Sequence, residues 1–289
     1  MAIVTNGRLE YEMSAIDVTY PDIGKVTYRG STPCIVSNQW TPPKEKCDNC
    51  LTFTGKDSEF TLKATNKTWD GTLEWSTDQI NWTTLVGTEE MQSVDKKLYL
   101  RGKGNTTFHY YNEETSAGLS VQWVLSKKAD CSGNIQTLLD WENPPMDIKV
   151  QYCYSCMFWG CDNLTSAPEL PATTLAEDCY SGMFMTCLEL TSAPALPATT
   201  LANGCYFNMF RSCSNLTTAP ELPATTLAKS CYSWMFGNCS KLKVNATSGN
   251  KIFTCPSTIP EGAVNGMFTS TGGTFTGTPT AGTTYYYTE

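Results

Sequence analysis

Histidine is almost missing from this chain. His109, flanked by Thr107-Phe108 and Tyr110-Tyr111, is the single histidine in 289 residues. A hydroxyl or thiol nucleophile needs a base and a group to orient that base, and one imidazole leaves little to build them from. His109 is read here as an exposed or packed strand residue. No Gly-x-Ser-x-Gly, His-Glu-x-x-His or glycine-rich phosphate loop occurs. Asp and Glu fall into no motif, so a glycan-active enzyme would have to assemble its carboxylate pair in three dimensions. The expectation is a protein that is not an enzyme and uses no cofactor.

Charge is also scarce, at 17% of residues, and its balance is acidic, with a formal net charge of −8. The densest basic group, Lys96-Lys97 with Arg101 and Lys103, is modest. Phosphate backbones need clustered Lys and Arg, so nucleic acid is not an expected partner. No run approaches the roughly 18 apolar residues of a membrane span. The opening Met-Ala-Ile-Val-Thr-Asn-Gly-Arg lacks a basic segment followed by an apolar one, and the closing Thr-Tyr-Tyr-Tyr-Thr-Glu carries no lipid-anchor pattern. The expectation is a chain that acts where it is made or leaves by a route other than secretion, release inside an assembled virus particle being one.

What the chain has is repetition. Hydrophobic residues make up 40%, and the 14 cysteines mostly recur at fixed positions. Units starting at Cys153, Cys179 and Cys205 share a period of 26; a fourth starts at Cys231 and decays after Leu242. A degenerate echo follows at Asn265-Gly266-Met267-Phe268. The unit reads Cys-Tyr-x-x-Met-Phe-x-x-Cys-x-x-Leu-Thr-(Ser/Thr)-Ala-Pro-x-Leu-Pro-Ala-Thr-Thr-Leu-Ala-x-x.

Its first half puts Cys179, Tyr180, Met183, Phe184 and Cys187 on one face, read as one to two turns of a short helix. Its second half carries Pro194 and Pro197, with a strand expected near Leu190-Thr191-Ser192 and an extended return to Leu201. One unit cannot bury its apolar face alone, whereas a stack can. On a helix, Cys179 and Cys187 would lie ~12 Å apart, too far for a bridge. Buried core thiols are the expected state, with disulfide ladders or metal as the alternatives.

Residues 179–201 resemble the BspA-like leucine-rich repeats of surface proteins from gut and oral bacteria and of their phages, over 153–242 in detail. Cys131-Ser-Gly-Asn-Ile-Gln-Thr-Leu-Leu-Asp140 resembles the cap that often precedes such repeats, and Glu74–Thr84 the small β-domain that commonly comes before them. The resemblance implies adhesion, host-surface binding and protein contact, and no catalytic set.

The expected fold is therefore multi-domain and mainly β with short helices. It comprises an anchor with a linker (1–49), a small β-sandwich (50–126) and a capped leucine-rich-repeat solenoid of 26-residue units (127–289). Within the last, 127–152 is the cap, 153–244 the repeats and 245–289 a C-terminal cap and tail. Strands are expected at Leu51–Thr54, Phe60–Lys63, Leu73–Ser76, Trp82–Leu85 and Lys97–Arg101, and earlier at Ile23–Tyr28 and Cys34–Val36. Trp75 and Trp82 are read as packing residues. Asn66, Asn81 and Asn105 head Asn-x-Ser/Thr triplets, taken as chance in a Thr-rich chain. Cys47-Asp-Asn-Cys50 has three readings: plain thiols, a disulfide or inter-subunit link, or zinc with Cys34 as third ligand and no evident fourth.

The candidate binding residues lie on the side of each repeat away from its apolar face. Trp159, Met185, Arg211 and Gly237 form one column; Ser155, Ser181, Phe207 and Ser233 form a neighbouring one, with Trp234 beside it. Trp159, Met185, Phe207, Arg211 and Trp234 are expected to make an exposed aromatic and basic stripe, a composition that favours interfaces. The leading expectation is a homo-oligomeric phage head or tail fibre. Residues 1–49 would dock on other virion proteins, and the repeats would bind a host-surface glycan or protein. A bacterial surface adhesin is the alternative.

Overall fold

In the computed structural model the described residues are Ile3–Thr5, Arg8–Glu10, Asp17–Tyr20 and Gly24–Thr27, followed by residues 46–112 and 117–289. The chain divides into two compact units, Met1–Lys46 and Cys47–Glu289. The first contains two antiparallel hairpins: β1 (Ile3–Thr5) with β2 (Arg8–Glu10), and β3 (Asp17–Tyr20) with β4 (Gly24–Thr27). The strand expected at Ile23–Tyr28 thus appears as β4, while Cys34–Val36 lies outside the described residues.

The second unit is mainly β. Its strands are β5 (Leu51–Gly55), β6 (Thr61–Ala64), β7 (Thr72–Ser76), β8 (Thr83–Thr84), β9 (Met91–Gln92), β10 (Lys97–Lys103), β11 (His109–Asn112), β12 (Ala117–Ser120), β13 (Trp123–Leu125), β14 (Ala129–Ser132), β15 (Leu164–Ser166), β16 (Lys243–Asn245), β17 (Asn250–Thr254), β18 (Gly272–Gly273) and β19 (Thr284–Thr288). All five strands expected between residues 51 and 101 are present, within a residue or two of their expected ends. A six-stranded sheet runs β15-β14-β5-β10-β7-β8, and a three-stranded sheet runs β13-β6-β9. Their alternating inward residues, among them Phe53, Leu98 and Leu100 from one sheet and Leu62, Met91 and Trp123 from the other, share one apolar core with the repeats. β15 belongs to the first repeat and pairs in parallel with β14, so one sheet crosses from the N-terminal part of this unit into the repeats.

Packing residues account for the aromatic signals in this region. Arg101 is buried, with its guanidinium between the rings of Trp82 (4.0 Å) and Trp141 (4.2 Å) and its Nε donating to Glu74 Oε2 at 2.8 Å. Trp75 is half-buried against the core. Asn105 is buried: its Oδ1 accepts from the Gly71 N–H, and its Nδ2 donates to the carbonyls of Thr72 and Leu138. An amide spent in this way is no glycan acceptor.

The repeats correct one expectation. Their first halves are not helices; the one helix among the described residues is a 3-10 turn at Ile135–Leu138. Each first half is instead a run of tight turns four residues apart. Asp178, Gly182 and Thr186 all take positive φ, as do Gly204, Asn208 and Ser212 in the next unit and Ser230, Trp234 and Asn238 in the one after. Backbone donors alternate between two directions. Ser181, Met183, Met185 and Cys187 donate back to the carbonyls of Asp178, Tyr180, Gly182 and Phe184. Tyr180, Gly182, Phe184 and Thr186 donate across to Cys205, Phe207, Met209 and Arg211 of the next unit, at 2.7–3.0 Å. An α-helix would use all these donors internally. The cross-unit bonds win because stacking buries the apolar face at the same time as it satisfies the backbone.

The sequence did carry this signal. Apolar residues at i, i+1, i+4, i+5 and i+8 have a period of four, whereas a helical face recurs at i, i+3, i+4 and i+7. The ~12 Å separation of Cys179 and Cys187 rested on a helix and does not apply. Each second half contributes bridges rather than long strands: Ser192 pairs with Thr218, and Thr174 with Thr200, in parallel.

Stacking is regular inside. Tyr154, Tyr180, Tyr206 and Tyr232 form one column with ring centroids 5.7–5.9 Å apart and planes within 13°. Phe158, Phe184, Phe210, Phe236 and Phe268 form a second at 5.4–5.9 Å. Pairs of this kind contribute about 0.5–1.5 kcal/mol each beyond their area. The echo at 265–268 is part of a full fifth layer: Ser230, Tyr232, Trp234, Phe236 and Asn238 donate to Glu261, Ala263, Asn265, Met267 and Thr269. The columns end where Phe253, Phe275 and Tyr285 meet the last rings at steep angles, beneath a four-stranded sheet β17-β19-β16-β18.

Among the described residues eleven cysteines are free, all buried except the half-buried Cys156. Cys187, Cys213 and Cys239 each donate their thiol to the carbonyl of Phe158, Phe184 and Phe210, every one at 3.0 Å. The thiol is therefore both a space-filler and a weak donor between layers. Of the three readings of Cys47-Asp-Asn-Cys50, the structure takes the disulfide, which joins two buried sulfurs.

Candidate functional site

After each inward pair of a layer, the turn tips point away from the core. The tip positions are 155–156 and 159–160 in the first layer, and then 181–182 and 185–186, 207–208 and 211–212, 233–234 and 237–238, and 265–266 and 269–270. Inward positions are nearly identical from layer to layer, because each must fit the same stack. One tip column differs in every layer, running Trp159, Met185, Arg211, Gly237 and Thr269, while its neighbour keeps serine at Ser155, Ser181 and Ser233 and departs from it at Phe207 and Asn265.

Each expected stripe residue sits on this face. Trp159 is exposed, with 45% of its surface accessible; Met185, Phe207, Arg211 and Trp234 are half-buried. The structure brings two of them into contact: the Arg211 guanidinium lies over the Trp234 ring, 4.7 Å from its centroid. Trp234 in turn lies where side chains are missing. A Cβ on Gly237 or Gly266 would come within 2.7 Å of its ring atoms. Asn208 Oδ1 accepts from Arg211 Nη1 at 3.5 Å, and Asn238 Nδ2 donates to Ser212 Oγ at 3.4 Å.

The neighbouring column departs from expectation. Ser155 and Ser233 are buried, because their hydroxyls turn sideways to the carbonyls of Ser181 and Asn265 in the next layer. A short hydroxyl at a turn tip satisfies itself locally, and Phe207 at the same position has no such option.

Periodicity could not reveal how the face continues toward the N-terminus. Phe108 stacks on Tyr154 at 5.6 Å and donates to the Cys153 carbonyl, while Trp123 donates to Met157 as Phe158 does to Met183. By this register Val124 precedes Trp159 in the same column, and it too is exposed. The hairpin β11–β12 replaces the tip at 155–156. Its cross-strand partners Tyr110 and Leu119 are both exposed. Only the hydrogen bonds of the folded chain align residues 108 and 123 with the repeats.

His109 opens this hairpin. Its Nδ1 lies 2.8 Å from Ser120 Oγ, its ring sits 4.9 Å from that of Tyr152, and burial lowers its pKa. Among the described residues no carboxylate is hydrogen-bonded to it, so the pair lacks the orienting third group of a nucleophilic triad. The repeat thiols are held above their ordinary range by burial, with Cys161 and Cys213 raised to about 12. A thiol held in that form is not a nucleophile near neutral pH.

Among the described residues no group of three or more His, Cys, Asp or Glu is placed to hold a metal ion. Cys47 and Cys50 are tied up in their disulfide, and Cys34 lies outside the described residues. No helix among the described residues is long and apolar enough to cross a membrane. No protein-family model, curated protein or solved structure matches the chain.

Proposed function

We propose that this chain is a non-enzymatic attachment protein whose stacked units form a leucine-rich-repeat-like solenoid and whose turn face binds a glycan or protein on a host surface. One observation carries the reading. Within a single chain the inward positions repeat almost unchanged while the tip column from Trp159 to Thr269 changes in every layer, and the tips supply Trp159, Phe207, Arg211 and Trp234. Packing of the layers needs no such set on the outward side. Aromatic and Arg side chains are the usual anchors of interfaces.

The setting we propose is a phage head or tail fibre. Residues 1–49 would contact other virion proteins, the chain would be a homo-oligomer, and multivalency would strengthen weak single sites. The division into Met1–Lys46 and Cys47–Glu289 suits that assignment, since an anchor and a binding unit then fold as separate bodies. A bacterial surface adhesin is the competing setting.

The face is tested with fluorescently labelled chain on a panel of gut and oral bacteria. Trp159→Ala combined with Phe207→Ala is expected to weaken adhesion at least about tenfold, as loss of anchor residues does, with the unfolding midpoint unchanged. Undiminished adhesion would sink the reading. Mass spectrometry of density-purified virus particles against cell envelopes decides between fibre and adhesin by where the intact chain is found.

A further inference from the structure

Arg211 is the only charged residue among the tip positions of all five layers, in a chain whose formal net charge is −8. Among the described residues it has no ion pair. Its contacts hold it without neutralising it. The guanidinium stacks on Trp234 at 4.7 Å and leans on the neutral Asn208 amide at 3.5 Å. Trp234 is itself seated over Gly237 and Gly266, where any Cβ would collide with the ring. Arg101, by contrast, donates to the Glu74 carboxylate at 2.8 Å. A stacked guanidinium also loses less freedom when a ligand arrives, because its plane is already set.

The surroundings of Arg211 narrow the ligand. Phe207 offers carbon-rich ring surface, while Asn208, Ser212 and Asn238 offer neutral amide and hydroxyl groups. That mixture suits a ligand with hydroxyls, apolar ring faces and one anionic group. The guanidinium fork matches the planar, two-oxygen geometry of a carboxylate and also accepts sulfate.

We infer that Arg211 is a preformed anion-binding site for an acidic saccharide, taking its carboxylate or sulfate while the flanking aromatic and amide groups take the sugar. The inference rests on the turn face being the binding surface and adds the chemistry of what binds there. The anion is recognised locally. With a Debye length of about 8 Å at physiological salt, the acidic remainder of the chain is largely screened from a ligand on this face.

Matched saccharide pairs test it, with the full chain, by calorimetry at fixed salt: an oligogalacturonide against its carboxyl-reduced form, and a sulfated galactan oligosaccharide against its desulfated form. The acidic member of at least one pair should bind about ten- to a hundredfold tighter than its neutral partner, the range expected when a charge-assisted hydrogen bond is lost. Which pair discriminates identifies the anion. Arg211→Gln should bring that ratio to near one with an unchanged unfolding midpoint, and Arg211→Lys should restore part of it. Equal binding of acidic and neutral members by the native chain overturns the anion site and leaves the turn-face reading standing. The saccharide inference alone is overturned if no member binds at millimolar concentration while cell adhesion is still lost in the Trp159→Ala, Phe207→Ala variant. If that variant adheres normally, the underlying reading falls first.

Discussion

A cysteine in the repeats is a packing residue with a weak donor, and its chemistry follows from that. Burial penalises the thiolate, so Cys161 and Cys213 are raised to about 12, Cys231 to about 11, and Cys179, Cys187, Cys205 and Cys239 well above 9.0. Cys156 sits at a tip and is half-buried. Brief alkylation of the native chain at pH 8, mapped by peptide mass spectrometry, should therefore label Cys156 ahead of every other repeat cysteine. Denaturant should open all of them together. Early labelling of Cys187 or Cys213 would mean that the layers breathe open. The recurrence of Cys was legible in the sequence, and so was its expected state as core thiol. The thiol-to-carbonyl bond that links one layer to the next was not, because it joins residues 29 apart, such as Phe158 and Cys187.

At the scale of the element, the tight turns require a left-handed residue every fourth position. Glycine meets that need at Gly182 and Gly204, but Thr186 meets it with φ of +60° and a branched Cβ. A β-branched residue is strained there, whereas glycine is not. Thr186→Gly should raise stability by about 1 kcal/mol, read from urea unfolding. A loss of stability would mean that the hydroxyl, which donates to the Met185 carbonyl at 2.7 Å, outweighs the strain. A local reading of the unit favours a helix, because an isolated stretch satisfies its donors most cheaply within itself. The spacing of four argued otherwise, and it is the spacing that the structure follows.

For the molecule as a whole, the titrating groups set a window of stability. Burial lowers the pKa of His109 below 6.5, so the unfolded chain takes up that proton first. The Asp78 carboxylate is held below 3.8 by the Asn81 and Ile80 N–H groups, the Asn81 side chain and Ser76. For Asp70, burial raises the pKa but is outweighed by the Thr106 hydroxyl and the N–H groups of Thr106 and Thr107. A depressed pKa gives stability that is present above the unfolded value and lost as pH falls through it. Stability should therefore step down as pH falls past 6.5, and again below 3.8. Asp178, raised by burial and then by Glu177, runs the other way: it adds stability as pH falls toward 3.8, before the second step begins. On the alkaline side the unfolded thiols release protons near 9.0 while the buried ones keep theirs, so stability falls as pH rises past that value. Urea midpoints from pH 3 to 10 should trace this dome, and His109→Gln should erase its first acid step. A profile unchanged by that substitution would show that another group titrates there.

The period of 26, the inward pairs and the divergent tips are properties of the sequence by itself, because each is a pattern of residue type along the chain and burial enforces it locally. The short strands between 51 and 101 were legible for the same reason, through alternation. The spacing of four marked the first halves as turns, but tertiary structure alone decided where their outward N–H groups go, since those partners lie one layer away. It decided that Phe108, Trp123 and Val124 extend the stack, because no spacing links residues 108 and 123 to a unit that begins at 153. It also decided that Arg211, Trp234, Gly237 and Gly266 form one feature, spread over three layers. Contacts between layers form only when the layers stack, so their partners are set by geometry rather than by nearness in sequence.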